Sequence, residues 1–208
     1  MITDEMLDAL RTRIGSLMSE HRYSHTLGVE KMAAFLSEFC LPEKEKELRA
    51  AALLHDVTKE LSYEEQLCML ADIENLSNAK LSSSDMEPAV IHSFTAQVVV
   101  KRDFKEFATD EIVSAVTKHT VGDIDMSVFD KIIFLADFIE ETRTYQASVD
   151  TRNFVINSMK NGEISQNSET LVKACIMEIN STISHLKAMG KVVNEKTVLA
   201  KAALLSKK

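Results

Sequence analysis

The chain has 208 residues, 45% of them hydrophobic, with five glycines and two prolines, a length and make-up that carry a sizeable core and exclude a disordered chain or a turn-rich β protein. Its formal net charge of -8 removes nucleic-acid polymers from the expected partners, because phosphate contacts along a polymer need a basic face. A small phosphorylated ligand stays compatible, since a bound metal and a few cations reverse the field locally.

The predicted elements are all helical. Val29, Met32, Leu36 and Phe39 recur at helical spacing, and one turn back from Val29 lies His25, which therefore faces the core. Pro42-Glu43 opens a second helix with Leu48, Ala51, Ala52 and His55 in register. Ser62-Tyr63-Glu64-Glu65 has the form of a capping box, predicting a short helix over 62–70, and the polar, aperiodic stretch 71–87 reads as a loop. Pro88 then starts the helix carrying His92, and Thr109-Asp110-Glu111 opens one over 110–119 that aligns Ile112, Ala115, Val116 and His119. DKIIFLADFIEE is a buried helix, and the run from Ser168 to Met189 puts Val172, Ile176, Ile179, Ile183 and Leu186 on one face. The expected architecture is all-α, one domain over residues 1–208 with its core at about 20–200. Cys40, Cys68 and Cys175 are scattered and odd in number, so they read as reduced apolar fillers of a cytoplasmic protein. The acidic start MITDEMLDAL is unlike a signal peptide, and no apolar run is long enough to span a bilayer, so no membrane partner is expected.

Three inward histidines on three helices, His25, His55 and His119, accompany Asp56 and Asp137. Asp137 interrupts Ile132-Ile133-Phe134-Leu135-Ala136-Asp137-Phe138-Ile139, a segment apolar on every side. A carboxylate placed there needs a cation, because burying it unpaired costs several kcal/mol or more. That cation is either a Lys or Arg in a buried ion pair or a metal. Mixed imidazole and carboxylate donors suit iron, manganese or zinc with open positions for water and phosphate oxygens; calcium wants oxygens only, and structural zinc mostly thiolates.

The order H…HD…D of His25, His55-Asp56 and Asp137 resembles the HD-domain metal-dependent phosphohydrolases, which implies an HD-type helical bundle. More narrowly, HRYSHTLGVEKMA, ALLHDVTKE, HTVG and DKIIFLADFIEETR resemble the YqeK family, which hydrolyses diadenosine tetraphosphate symmetrically to two ADP. The resemblance implies His25, His55, Asp56 and Asp137 as metal ligands, with iron the leading metal, manganese or zinc alternatives and a second metal open. It also implies phosphate and nucleotide contacts from Arg22, Lys59, His92, His119, Thr120 and Arg143, with Asp56, Lys59, His92 and His119 in the catalytic set. His92 and His119 either donate protons to phosphate oxygens or complete a second metal site. Lys59, four residues after His55, is expected on the same helical side. Lys191, in the turn Met189-Gly190-Lys191, is a looser candidate for the polyphosphate. His21 and His185 read as solvent-facing or unused. A homodimer is compatible with this reading.

The chain departs from the family pattern at Ser93, Thr95, Val121 and Glu141, which replace two glycines, a threonine and a proline. Side chains in place of glycine crowd a backbone approach to a ligand, so these positions bear on nucleotide choice. The competing readings are an HD phosphohydrolase for another nucleotide or phosphomonoester, and a metal- and nucleotide-binding regulatory module without turnover. Lys59 stands where guanosine tetraphosphate hydrolases carry an acidic pair, and the G-Y-P motif of the cyclic-dinucleotide branch is absent.

Overall fold

A computed structural model describes residues 1–77, 81–161 and 168–206. Among them run ten α-helices: α1 (Asp4–Gly15), α2 (Glu20–Cys40), α3 (Glu45–Leu54), α4 (Tyr63–Ser77), α5 (Ile91–Asp103), α6 (Asp110–Lys118), α7 (Val128–Ile139), α8 (Gln146–Lys160), α9 (Ser168–Ala188) and α10 (Glu195–Ser206). Short 3-10 turns at Pro42–Lys44 and Lys105–Phe107 lead into α3 and follow α5. The chain is all-α, as its periodicity implies, and no helix among the described residues is long and apolar enough to cross a membrane.

Local chemistry sets most boundaries. Ser19 and Thr109 cap α2 and α6 by accepting from the backbone N–H groups of Arg22 and Ile112. The predicted capping box before α4 is present: Glu65 N–H donates to Ser62 Oγ, and Ser62 N–H donates to the Glu65 carboxylate. The loop expected over 71–87 needs correction, because α4 continues to Ser77; nothing between Ala71 and Ser77 is a Gly or Pro that would end it. Residues 78–80 of that stretch lie outside the described ones. Pro88 does not open α5 directly. It lies in a turn closed by Val90 N–H donating to Glu87 C=O, and the helix begins at Ile91.

Helix α7 is the hub. Phe129, Ile132, Ile133, Leu135, Ala136 and Ile139 are all buried, and the helix packs against α2, α3, α6, α8 and α9. At about 25 cal/mol per Å² of apolar surface, such all-round burial outweighs the polar cost of one carboxylate in the helix. The same core draws in Leu7, Leu10 and Ile14 of α1 and Ala200 and Leu204 of α10. Every helix that carries a candidate site residue is thus anchored by apolar contacts on its other faces, which leaves little freedom for the polar groups between them.

Candidate functional site

Helix α2 presents Arg22 and His25, and α3 ends on His55, whose backbone keeps helical angles as the C-cap. Residues 55–60 then wind as turns, with Val57 N–H to Leu54 C=O and Lys59 N–H to Asp56 C=O. Lys59 therefore reaches the site through this turn and not along α3, which corrects the expected helical placement. His92 lies in the first turn of α5, His119 and Thr120 directly follow α6, and Asp137 and Arg143 flank the end of α7. These elements bring Arg22, His25, His55, Asp56, Lys59, His92, His119, Thr120, Asp137 and Arg143 around one cluster, while Lys191 lines a neighbouring cavity.

The ligand-capable atoms of His25, His55 and Asp137 lie within 4.8 Å of one another, and so do those of His55, Asp56 and His119. Donors bound at about 2.1 Å to one ion are separated by about 3 to 4.2 Å, so both groups, which share His55, come close to the spacing of a metal centre. The imidazoles are oriented from behind. His55 Nδ1 is 2.6 Å from Ala52 C=O, His119 Nδ1 is 2.8 Å from Val116 C=O, and His25 Nδ1 is 3.1 Å from the Glu140 carboxylate. With each Nδ1–H directed at an acceptor, Nε2 is the atom turned inward. His25 Nε2 and His55 Nε2 are buried and face carboxylate oxygens, 3.0 Å from Asp137 and 3.4 Å from Asp56, without a well-aligned hydrogen bond to either. Two buried imidazole nitrogens that converge on carboxylates in this way fit a divalent metal between them.

The carboxylates are held as anions. Asp56 is 4% exposed; burial opposes its charge, but the His55, His119 and His92 rings around it hold its carboxyl well below the usual range. Its oxygens lie 2.7 Å from Arg22, 3.3 Å from His92 and 3.5 Å from His119. Asp137 is less enclosed than its apolar neighbours imply, since its side chain keeps 21% exposure near the end of α7. Burial again works against the anion, and His25 at 3.0 Å and Arg143 at 2.6 Å outweigh it. Both cations named as alternatives for Asp137 are thus met in one place: an Arg ion pair and a metal-capable cluster.

Lys59 Nζ lies 3.1 and 3.2 Å from the two ring nitrogens of His92 and 3.4 Å from Ala89 C=O. Burial lowers its pKa, with Asp56 and Asp137 pulling up and Arg22 and Arg143 pulling down. His92 Nε2 is also 3.0 Å from Thr120 Oγ1 and 3.2 Å from His119 Nε2. Burial keeps the His92 ring neutral, well below its ordinary pKa, against the pull of Asp56. Thr58 Oγ1 donates to His92 C=O, and Thr95 Oγ1 donates to Thr58 Oγ1, so Thr95 serves the support of His92. Ser93 Oγ likewise turns back to Val90 C=O. A cavity of about 570 Å³ opens beside Thr120, lined by Pro88, Val90, Thr182, Leu186 and Lys191 among others. His21 and His185 are exposed, away from the cluster's buried groups. Glu140, which sequence reasoning passed over, is fully buried against His25; its only signal was an acid ending an apolar helix, and the adjacent Glu141 gave the same signal from the surface.

The helical bundle and its clustered histidines and aspartates define the class: the chain belongs to the HD domain family, whose model matches residues 22–141. It is 31% identical over 153 residues, 69% of this chain and 78% of the relative, to a Bacillus subtilis protein named "Bis(5'-nucleosyl)-tetraphosphatase, symmetrical". A Halalkalibacterium halodurans protein of the same name is 29% identical over 155 residues, covering 69% of this chain and 78% of the relative. Among solved structures, a predicted HD superfamily hydrolase involved in NAD metabolism from Clostridium acetobutylicum superposes with a TM-score of 0.79 at 25% identity, covering 97% of each chain.

Proposed function

We propose that this chain is a metal-dependent hydrolase that cleaves diadenosine tetraphosphate symmetrically into two ADP. The observation that carries the proposal is the convergence of the buried Nε2 atoms of His25 and His55 on Asp56 and Asp137, ringed by Arg22, Lys59 and Arg143; the names of the relatives supply the substrate. His25, His55, Asp56 and Asp137 would hold the metal, with iron first and manganese or zinc suited to the same donors. Such a metal supplies Lewis acidity and an acidified water. His119 stands with His55 and Asp56 as a further donor, which leaves room for a second ion.

The chain's own groups do the positioning. Arg22 and Arg143 present guanidinium forks beside the two carboxylates and grip phosphate oxygens, while Lys59 adds a point charge next to His92. A polyphosphate placed there raises the Lys59 pKa again, so binding and charge reinforce each other. His92, neutral and oriented by Thr58 and Thr120, contacts a phosphoryl oxygen without adding charge. The cavity beside Thr120 accepts one nucleoside, with Lys191 at its edge. Fixing one ADP half in this register would present an inner phosphorus to attack by water; in the overall reaction the water oxygen joins that phosphorus, the bridging oxygen leaves with the other ADP, and one proton goes to solvent. A diffusible nucleotide substrate agrees with a cytoplasmic address and with residues 1–208 working as one catalytic unit. Chromatography of the products tests the proposal: ADP alone, dependent on added metal and carrying solvent oxygen on the terminal phosphate, is expected, and equal AMP and ATP refutes the register. No hydrolysis with any metal moves the reading to another HD substrate or to a binding module.

A further inference from the structure

We propose that Glu140 is the positioning residue of His25, seated in a gap that Gly28 leaves in α2 and held there by the turn that follows α7. Glu140 is the C-cap of α7, where the backbone swings from helix to an extended ψ of 157°, and its side chain turns back under α2. It is completely buried. One carboxylate oxygen lies 3.1 Å from His25 Nδ1, and Thr142 donates to the carboxylate through its N–H at 2.6 Å and its hydroxyl at 2.5 Å. The carboxylate therefore accepts three hydrogen bonds, and His25 is the donor among them that belongs to the cluster, with Arg143 Nε further off at 3.8 Å.

Two neighbours make this seat specific. Gly28, one turn along α2 from His25, has no Cβ; a Cβ there would overlap Glu140 Oε2 and come within 3.2 Å of its Cδ. The atoms in the way are a fully buried carboxylate with committed partners, so an added methyl has to dislodge Glu140. From the other side, Arg152 of α8 donates to the carbonyls of Ile139, Glu140 and Arg143 at 2.6 to 2.7 Å, which fixes the turn carrying both Glu140 and the phosphate-facing Arg143. Glycine on α2, the acid after α7 and arginine on α8 thus act on one imidazole. By accepting Nδ1–H, Glu140 directs Nε2 toward the centre and makes it a better donor, the role that outer carboxylates play for metal-binding histidines.

The inference rests on the proposed metal centre, and its test reads metal affinity first, so that substrate choice does not enter. Purified full-length protein is titrated with manganese and with iron, with thermal melting in chelator as the control for folding. Glu140→Ala is expected to weaken metal binding about ten- to a hundredfold, and Glu140→Gln, whose carbonyl still accepts Nδ1–H, to keep most of the affinity. Gly28→Ala should weaken binding like Glu140→Ala, and the double variant should be no worse than either single one. Saturating metal should recover most of kcat in Glu140→Ala, a response that general loosening of the core would not give. Wild-type affinity in Glu140→Ala, equal losses in Gln and Ala variants, or additive losses with Gly28→Ala overturn the proposal. Should Glu140→Ala fail to fold, the Gln and Gly28 variants decide it. Tight metal binding by the wild type without hydrolysis of diadenosine tetraphosphate overturns the substrate reading alone.

Discussion

Replacing Lys59 with alanine separates phosphate handling from metal binding. Lys59 Nζ touches the His92 ring and the Ala89 carbonyl, and among the described residues no hydrogen bond or ion pair joins it to His25, His55 or Asp137. In the proposed role of Lys59, truncation would remove a charge-assisted hydrogen bond to phosphate, worth about 1.5 to 3 kcal/mol, or roughly ten- to a hundred-and-fiftyfold in kcat/KM. The half-buried stem leaves a small void and the exposed Ala89 carbonyl turns to solvent, but His92 stays partnered: it still meets Thr120 and His119, and its carbonyl still accepts from Thr58. Metal affinity should therefore stay within a few fold of wild type. The assay pairs steady-state hydrolysis of diadenosine tetraphosphate, quantified as ADP, with a metal titration of the same sample. If Lys59→Ala lost metal as severely as Asp56→Asn does, Lys59 would be a structural element of the centre and the assignment to phosphate would fail.

Asp56→Asn is expected to abolish measurable turnover and weaken metal binding, because it removes the charge of the proposed ligand and leaves Arg22 without its anionic partner at 2.7 Å; retained activity with bound metal would refute the ligand role. In metal-stripped protein His25 has its pKa raised from 6.5 to about 9, burial being overcome by the Asp137 and Glu140 carboxylates. A folded pKa above the unfolded one adds stability that is complete below about pH 6.5 and lost as pH rises through about 9, here about 3 kcal/mol in total at about 1.4 kcal/mol per pH unit. Melting temperatures of the chelated protein should accordingly fall between pH 7 and 9.5, and a flat profile would contradict the geometry around His25. Asp85, fully buried, binds Asn194 at 2.9 Å and Lys196 at 2.8 Å and so ties residues 82–85 to the start of α10 behind the cavity. Asp85→Ala should cost about 3 kcal/mol in denaturant unfolding and raise KM more than it lowers kcat, whereas an unchanged unfolding midpoint would show the tie to be idle.

Much of this protein is legible in one dimension because helices repeat locally. The apolar spacing around Val29, Leu48, Ile112 and Ile179 fixes the helical faces, and a histidine one turn from such a face must turn inward with it, which is how His25, His55 and His119 are found. Asp137 is legible for an energetic reason, since a carboxylate set among apolar neighbours on every side of a helix calls for a cation, and it meets one although it keeps partial exposure. Local rules were weaker at element ends: α4 ran to Ser77 through a polar stretch, α5 waited for Ile91 beyond Pro88, and residues 55–60 wound into turns that carry Lys59 to His92. The tertiary structure alone decided which Nδ1 meets which acceptor, that Asp137 keeps partial exposure beside Arg143, and that Glu140, not its neighbour Glu141, is buried behind His25. Glu140 and Glu141 are chemically alike and adjacent in sequence; one reaches the gap at Gly28 and the other pairs with Lys31 on the surface, because only the packing of α7 against α2 distinguishes their directions.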